Sequence, residues 1–213
     1  MSEQKNPSDK ASERKKSLIQ WVGLIVIAGT LYLTGLHTPI IATMQQGLML
    51  TGFFDARASD VESFDGPFLS NSDYNFQMTT ADGQELRLRD LEDDVTFVNV
   101  WASWCPPCIA EMPTIETLYS EIGDHDNISF VMLSVDEERE KAVEFMEGNG
   151  YTMPYQFPAS ARPEVFQSSQ IPTTYVISRE GQIVYEKAGF ADYSAPEFRD
   201  WLLKLSEGDE EPA

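Results

Sequence analysis

The sequence predicts an α/β domain, a mixed β-sheet with helices on both faces, preceded by one membrane-spanning helix. Three observations carry this expectation. Two near-continuous apolar runs, VTFVNVW (Val95–Trp101) and ISFVMLSV (Ile128–Val135), read as central strands buried on both faces. Each is followed by a segment whose apolar residues recur at helical spacing, and strands alternating with helices pack as layers around a sheet. Near the N-terminus, about twenty apolar residues match the length a helix needs to cross hydrocarbon.

Residues 1–16 form a polar tail with Lys5, Lys10, Arg14, Lys15 and Lys16. From Ser17 the run SLIQWVGLIVIAGTLYLTGL contains no ionisable group before His37. Residues 17–37 therefore read as a transmembrane signal anchor. The basic cluster before it orients the N-terminus toward the cytoplasm. The expected location is the cytoplasmic (inner) membrane, single-pass, with the C-terminal domain periplasmic or extracytoplasmic. The run is longer than the apolar core of a cleaved signal peptide, and no small-residue cleavage site closely follows it. A second apolar stretch, Pro39 to Phe54, is broken by Gln45 and Gln46 and falls short of a spanning segment. It reads as a helix extension or an interfacial segment. Residues 38–73 are the juxtamembrane segment and linker, acidic and serine-rich past Phe54.

The folded unit is expected over 74–206. Tyr74 to Thr79 reads as a strand, Ala81-Asp82-Gly83 as a turn and Glu85 to Leu88 as a short strand. Cys108 to Ile122 has helical spacing at Met112, Ile115, Leu118, Tyr119 and Ile122. Asp136 to Asn149 is an amphipathic helix with Ala142, Val143, Phe145 and Met146 inward, stopped by Gly148 and Gly150. Pro163 to Gln170 reads as a short helix. Thr173 to Ile177 and Ile183 to Ala188 form a hairpin around Arg179-Glu180-Gly181-Gln182. Ala195 to Leu205 is a last helix, and residues 207–213 are an acidic tail.

The net charge of −20 is unevenly spread: three of the 35 acidic residues but five of the 15 basic ones precede Ser17. A surface this acidic repels phosphate backbones, so nucleic acid is not an expected partner.

The only two cysteines, Cys105 and Cys108, lie in Trp104-Cys105-Pro106-Pro107-Cys108, between a strand and a helix. As a staple the pair closes a very short loop and constrains little of the unfolded chain. As a redox pair it is well placed, because a sulfur at a helix N-terminus is stabilised as thiolate. A structural zinc site needs four ligands, and here there is no third cysteine, while His37 and His125 lie far off in sequence. No metal and no cofactor are expected. His125 reads as solvated surface and His37 as an interfacial residue.

With these elements in order, the chain resembles the thioredoxin superfamily over about Tyr74 to Leu205. The run VNVWASWCPPCIAEMP resembles its membrane-anchored, extracytoplasmic TlpA/ResA-like branch. The resemblance implies a thioredoxin-like fold, with Cys105 as the attacking thiolate and Cys108 as the resolving thiol. It also implies that Glu111, three residues after Cys108 on the same helical face, is a partly buried carboxylate that raises thiol pKa values and relays a proton to or from Cys108. Pro172 is similar to the superfamily's cis-proline opposite the cysteines. With Ile171 and Trp104 it implies a substrate-docking surface. Trp101 reads as core, and Pro113 as a kink in the active-site helix. Asn99 stands where thioredoxin carries a buried aspartate, and Gln170 where glycine is common two residues before the proline. The 37 residues between Val135 and Pro172 leave room for an extra strand–helix insertion.

The function implied is a membrane-anchored thiol–disulfide oxidoreductase that reduces disulfides in extracytoplasmic proteins and is re-reduced by a membrane electron donor. Apocytochrome c is among the substrates of such proteins. A disulfide-forming oxidant or isomerase is the alternative. Potentials on this fold span ~150 mV, about 7 kcal/mol, and loop residues and local electrostatics move much of it. Glu111 disfavours a very low thiol pKa, and Ile171 is similar to the residue in reductants, so the reading leans to reductase. A peroxidase lacks its Thr-x-x-Cys arrangement here. A redox-inert binding protein is at odds with intact Cys105, Cys108, Glu111 and Pro172.

Overall fold

The computed structural model describes residues 64–208 and, upstream, the helical residues 20–23, 25–26 and 29–30. The chain divides into two units, residues 1–40 and 41–213. In the first, Trp21, Val22, Ile25 and Val26 are exposed apolar side chains on helical backbone, and the Thr30 hydroxyl donates to the Val26 carbonyl. Among the described residues no helix is long and apolar enough to cross a membrane. Most of the expected 17–37 anchor, His37, and the 39–54 stretch lie outside the described residues.

The second unit is built on one seven-stranded sheet. Its strands are β1 (Gln77–Thr80), β2 (Glu85–Arg87), β3 (Val95–Trp101), β4 (Ile128–Ser134), β5 (Tyr155–Pro158), β6 (Thr173–Ile177) and β7 (Ile183–Ala188). They lie in the order β2-β1-β5-β4-β3-β6-β7. β3, β4 and β5 are parallel neighbours, and every other pairing is antiparallel. The sheet is therefore mixed, as expected. β3 is buried at all seven residues, which is why its sequence is apolar without alternation.

Three helices follow: α1 (Pro106–Ile122), α2 (Arg139–Asn149) and α3 (Pro196–Glu207). Contrary to the expectation of helices on both faces, all three pack on one. Met112, Ile115 and Leu118 of α1, Ala142 and Met146 of α2, and Phe198, Trp201 and Leu202 of α3 join a single core with Val95, Phe97 and Trp101 of β3. The reason is topological. The β3–α1–β4 and β4–α2–β5 crossovers step the same way across the sheet, and right-handed crossovers then place both helices on the same side.

The opposite face is covered by a one-turn helix (Asn71–Tyr74), two 3₁₀ turns and irregular chain. Val98, Val100, Val131, Leu133 and Tyr175 meet Phe76, Leu88 and Phe166 there, with Phe64, Leu69 and Tyr74 packed against them. This cover starts upstream of the expected Tyr74. Leu69 donates to the Gly181 carbonyl, Ile183 donates to that of Pro67, and Gly66 lies so close to Ile183 that a side chain would clash with its carbonyl.

Other boundaries differ locally. Tyr74 ends a one-turn helix (Asn71–Tyr74) whose Ser70 and Asp73 form a capping box, so the first strand starts at Gln77. Leu88 opens a 3₁₀ turn (Leu88–Leu91) instead of closing β2. Pro163 to Gln170 holds only a 3₁₀ turn, Glu164–Phe166. The room before Pro172 is used by β5, the extra strand. α2 begins at Arg139 because Asp136 is engaged elsewhere, and Gly150, in the left-handed conformation (φ 72°), ends it.

Ile115 points from the middle of α1 into the shared core and is fully buried. Ile115→Ala should lower stability by about 2–5 kcal/mol. A leftward shift of the urea midpoint with unchanged slope, followed by circular dichroism, checks this.

Candidate functional site

The site forms where β3 ends and α1 begins. Cys105 is the N-cap of α1, in extended conformation, and the Cys108 amide donates to its sulfur at 3.2 Å. Pro106 and Pro107 fill the first helical positions, where a missing N–H is no loss. The two cysteines are joined as a disulfide. A thiolate at Cys105 would meet the same amide and the positive end of the helix dipole.

Cys105 is 3% exposed and Cys108 fully buried, while Trp104 beside them is 59% exposed. Opposite Cys105 lies the Ile171–Pro172 peptide bond, which is cis. The Ile171 carbonyl oxygen lies 3.7 Å from the Cys105 sulfur. The Pro172 carbonyl accepts from Gly189. Trp104, Cys105, Ile171 and Pro172 therefore meet at one edge. Trp101 is core, and Pro113 lies inside an unbroken α1.

Glu111 is fully buried, beyond the partial burial expected. Asn99 donates to its Oε1 at 2.7 Å and the Ala191 amide to its Oε2 at 3.2 Å. Both bonds favour the carboxylate, but burial dominates and pushes the pKa up to about 8. Near neutrality the group holds its proton. Asn99 also donates to Thr174 Oγ1 at 2.9 Å. Burial, then the neighbouring Tyr185 and Glu111, raise the Tyr193 phenol well above its ordinary value. A buried polar chain runs beneath α1 from Glu111 through Asn99 to Thr174.

Sequence reasoning missed Asp136 and the partners of Glu111. Asp136 Oδ2 accepts from the Ser103 amide and Oδ1 from the Ser103 hydroxyl, at 2.9 and 2.7 Å; Ser134 Oγ donates to Oδ2 at 2.9 Å. This carboxylate ties the end of β4 to the loop that carries Trp104 and Cys105. An aspartate just past the C-terminal end of a central parallel strand, where such sheets place their sites, was the available signal. For the partners of Glu111 the signal was a lone amide in an apolar strand. His125 lies on an exposed loop with Nδ1 2.6 Å from the Asp126 carbonyl oxygen, as a surface residue should.

Comparison with known proteins agrees with this geometry. Residues 65–200 match the family described as Redoxin. The chain is 27% identical to the thiol-disulfide oxidoreductase ResA of Halalkalibacterium halodurans over 130 residues, 60% of this chain and 73% of that protein. It is 27% identical to ResA of Bacillus subtilis over 132 residues, 62% of this chain and 69% of that protein. In fold it is similar to a thioredoxin-family thiol:disulfide interchange protein from Chlorobium tepidum, with a TM-score of 0.52 and 23% identity over 68% of this chain and 97% of the other. The chain belongs to the Redoxin family and is a ResA/TlpA-like thiol–disulfide oxidoreductase of the thioredoxin superfamily.

Proposed function

We propose that this oxidoreductase works as a membrane-tethered reductase of disulfides in extracytoplasmic proteins, with a membrane electron donor restoring its dithiol. The observation that carries the direction is Glu111, sealed from water on the helix that bears the redox pair. A strong oxidant owes its potential to a stabilised thiolate in the reduced form. A buried carboxyl group near the pair works against thiolate charge, and the loop Pro106-Pro107 supplies no cation to offset it.

In the cycle, the Cys105 thiolate attacks a substrate disulfide, forming a mixed disulfide and expelling one substrate thiolate. Cys108 gives its proton to ionised Glu111 and attacks Cys105. That step breaks the mixed disulfide, releases the second substrate thiolate and leaves the Cys105–Cys108 disulfide. Trp104, Ile171 and Pro172 would hold the substrate strand across the sulfur. Two electrons pass to the substrate, and the membrane donor returns two. Apocytochrome c is one substrate compatible with the likeness to ResA. Support for the tether is the apolar run over 17–37 with its basic flank, together with the exposed Trp21, Val22, Ile25 and Val26 on helical backbone.

Cys108→Ser expressed in cells should accumulate covalent adducts with envelope proteins that dithiothreitol releases, whereas Cys105→Ser should accumulate none. Equal labelling by both variants, or none by either, would overturn the reading.

Glu111→Gln should slow insulin reduction about tenfold or more at neutral pH and erase an inflection near pH 8 in the rate profile. A wild-type profile in this variant would remove Glu111 from the relay. The same group bears on stability. The folded state keeps the proton up to about pH 8, whereas the unfolded chain releases it above about 4.5. Stability should therefore fall as pH rises through that window, and Glu111→Gln should flatten this fall in thermal melts.

A further inference from the structure

Asn99 lies in the middle of a fully buried strand, and the thiol exchange described above makes no use of it. Both protons of its Nδ2 are placed, one on Glu111 Oε1 and one on Thr174 Oγ1. Its Oδ1 is buried and accepts no hydrogen bond. A buried acceptor without a partner is costly and calls for an explanation. Thr174 is the residue directly opposite Asn99 in the β3–β6 ladder, and its hydroxyl can either donate or accept.

We propose that Asn99, steered by Thr174, is the positioning residue for Glu111 in both of its protonation states, turning its N–H toward the carboxylate and its carbonyl toward the neutral acid. This inference rests on the relay role given to Glu111 above. An ionised carboxyl group only accepts hydrogen bonds, whereas a protonated one also donates. The amide as placed suits the first state. A half-turn about its last side-chain bond exchanges Oδ1 and Nδ2, which are nearly equal in size. Oδ1 then receives the Glu111 proton and the Thr174 hydroxyl proton, and the NH₂ group takes the position that Oδ1 leaves. The main chain stays fixed, because Asn99 is laddered to both β4 and β6.

The other groups around Glu111 do not compete for this role. Ala191 offers an amide that only donates, and the buried Tyr193 hydroxyl forms no hydrogen bond to the carboxyl. Cys108 lies one turn back on α1. No charged side chain contributes to the titration of Glu111. The amide is the only group bonded to the carboxyl that can reverse its polarity. It lets a carboxyl group sealed from water take and release a proton without stranding one.

The test uses the full chain in detergent micelles, in the disulfide form, with ¹³C-labelled glutamate and ¹⁵N-labelled asparagine. The Glu111 carboxyl signal should titrate at about 8 in the unmodified protein. Asn99→Ala should raise that midpoint by about half a pH unit to one unit, because the charge-assisted bond lost from the ionised state is about twice as strong as the neutral bond lost from the acid. Thr174→Val should raise it by less, and Thr174→Ser should restore it. The Asn99 side-chain amide signals should shift through the same midpoint. An unmoved midpoint in folded Asn99→Ala, Thr174→Ser behaving like Thr174→Val, or Asn99 signals flat across the titration would each overturn the proposal. If Asn99→Ala fails to fold, the Thr174 pair and the Asn99 signals decide. None of these readouts involves thiol exchange, so failure here is distinct from a failure of the relay, which Glu111→Gln kinetics report.

Discussion

The complete burial of β3 is the constraint on which the rest of the domain depends. Hydrogen-bonded on both edges and covered on both faces, the strand can hold a polar side chain only where a partner is built in. Its alternation sends Val95, Phe97 and Trp101 into the helical core and Val98 and Val100 into the other. Asn99 shares the helical side, so a buried amide lies directly beneath α1. The strand then runs into the loop of Trp104 and Cys105. One rigid element thus fixes both the reactive sulfur and the floor under the acid.

Along α1 two opposed electrostatic influences are separated by about one and a half turns. At the N-cap, the Cys108 amide and the dipole favour a negative Cys105 sulfur. At Glu111, burial outweighs two hydrogen bonds and favours the neutral acid. Were Glu111 exposed, solvent would screen it and its pKa would stay near the ordinary carboxylate range. The shift therefore originates in packing, to which the loop after β7 contributes by lying against Glu111. The Ala191 amide and Tyr193 belong to that loop, so the segment that seals the acid also supplies part of its polar surroundings.

The loop around the cysteines is held by partners distant in sequence. Asp136 binds Ser103 from the end of β4, and the cis Ile171–Pro172 bond brings a carbonyl against Cys105 from before β6. Trp104, next in the chain, is exposed, while the disulfide itself is almost covered.

The elements with the strongest local signals were legible from sequence: the unbroken apolar β3 and β4, the hairpin strands β6 and β7, and the helix that starts at Cys105. So was the chemistry of Cys105 and Cys108, since a strand–CxxC–helix order already places one sulfur at a helix end. What depends on pairing across the chain was not legible. Local spacing cannot tell which face a helix covers; the direction of the two crossovers decided that α1 and α2 share one. Asp136 has the composition of a helix start, yet contact with Ser103 keeps it out of α2. Glu111 looks like any acid in an early helical turn, and only its packing against β3 and the loop after β7 makes it a buried acid with a raised pKa. The sequence by itself thus determined which atoms can react, because reactivity at a helix terminus is local. The tertiary structure decided how their protons are held, because desolvation is produced by residues far away in the chain.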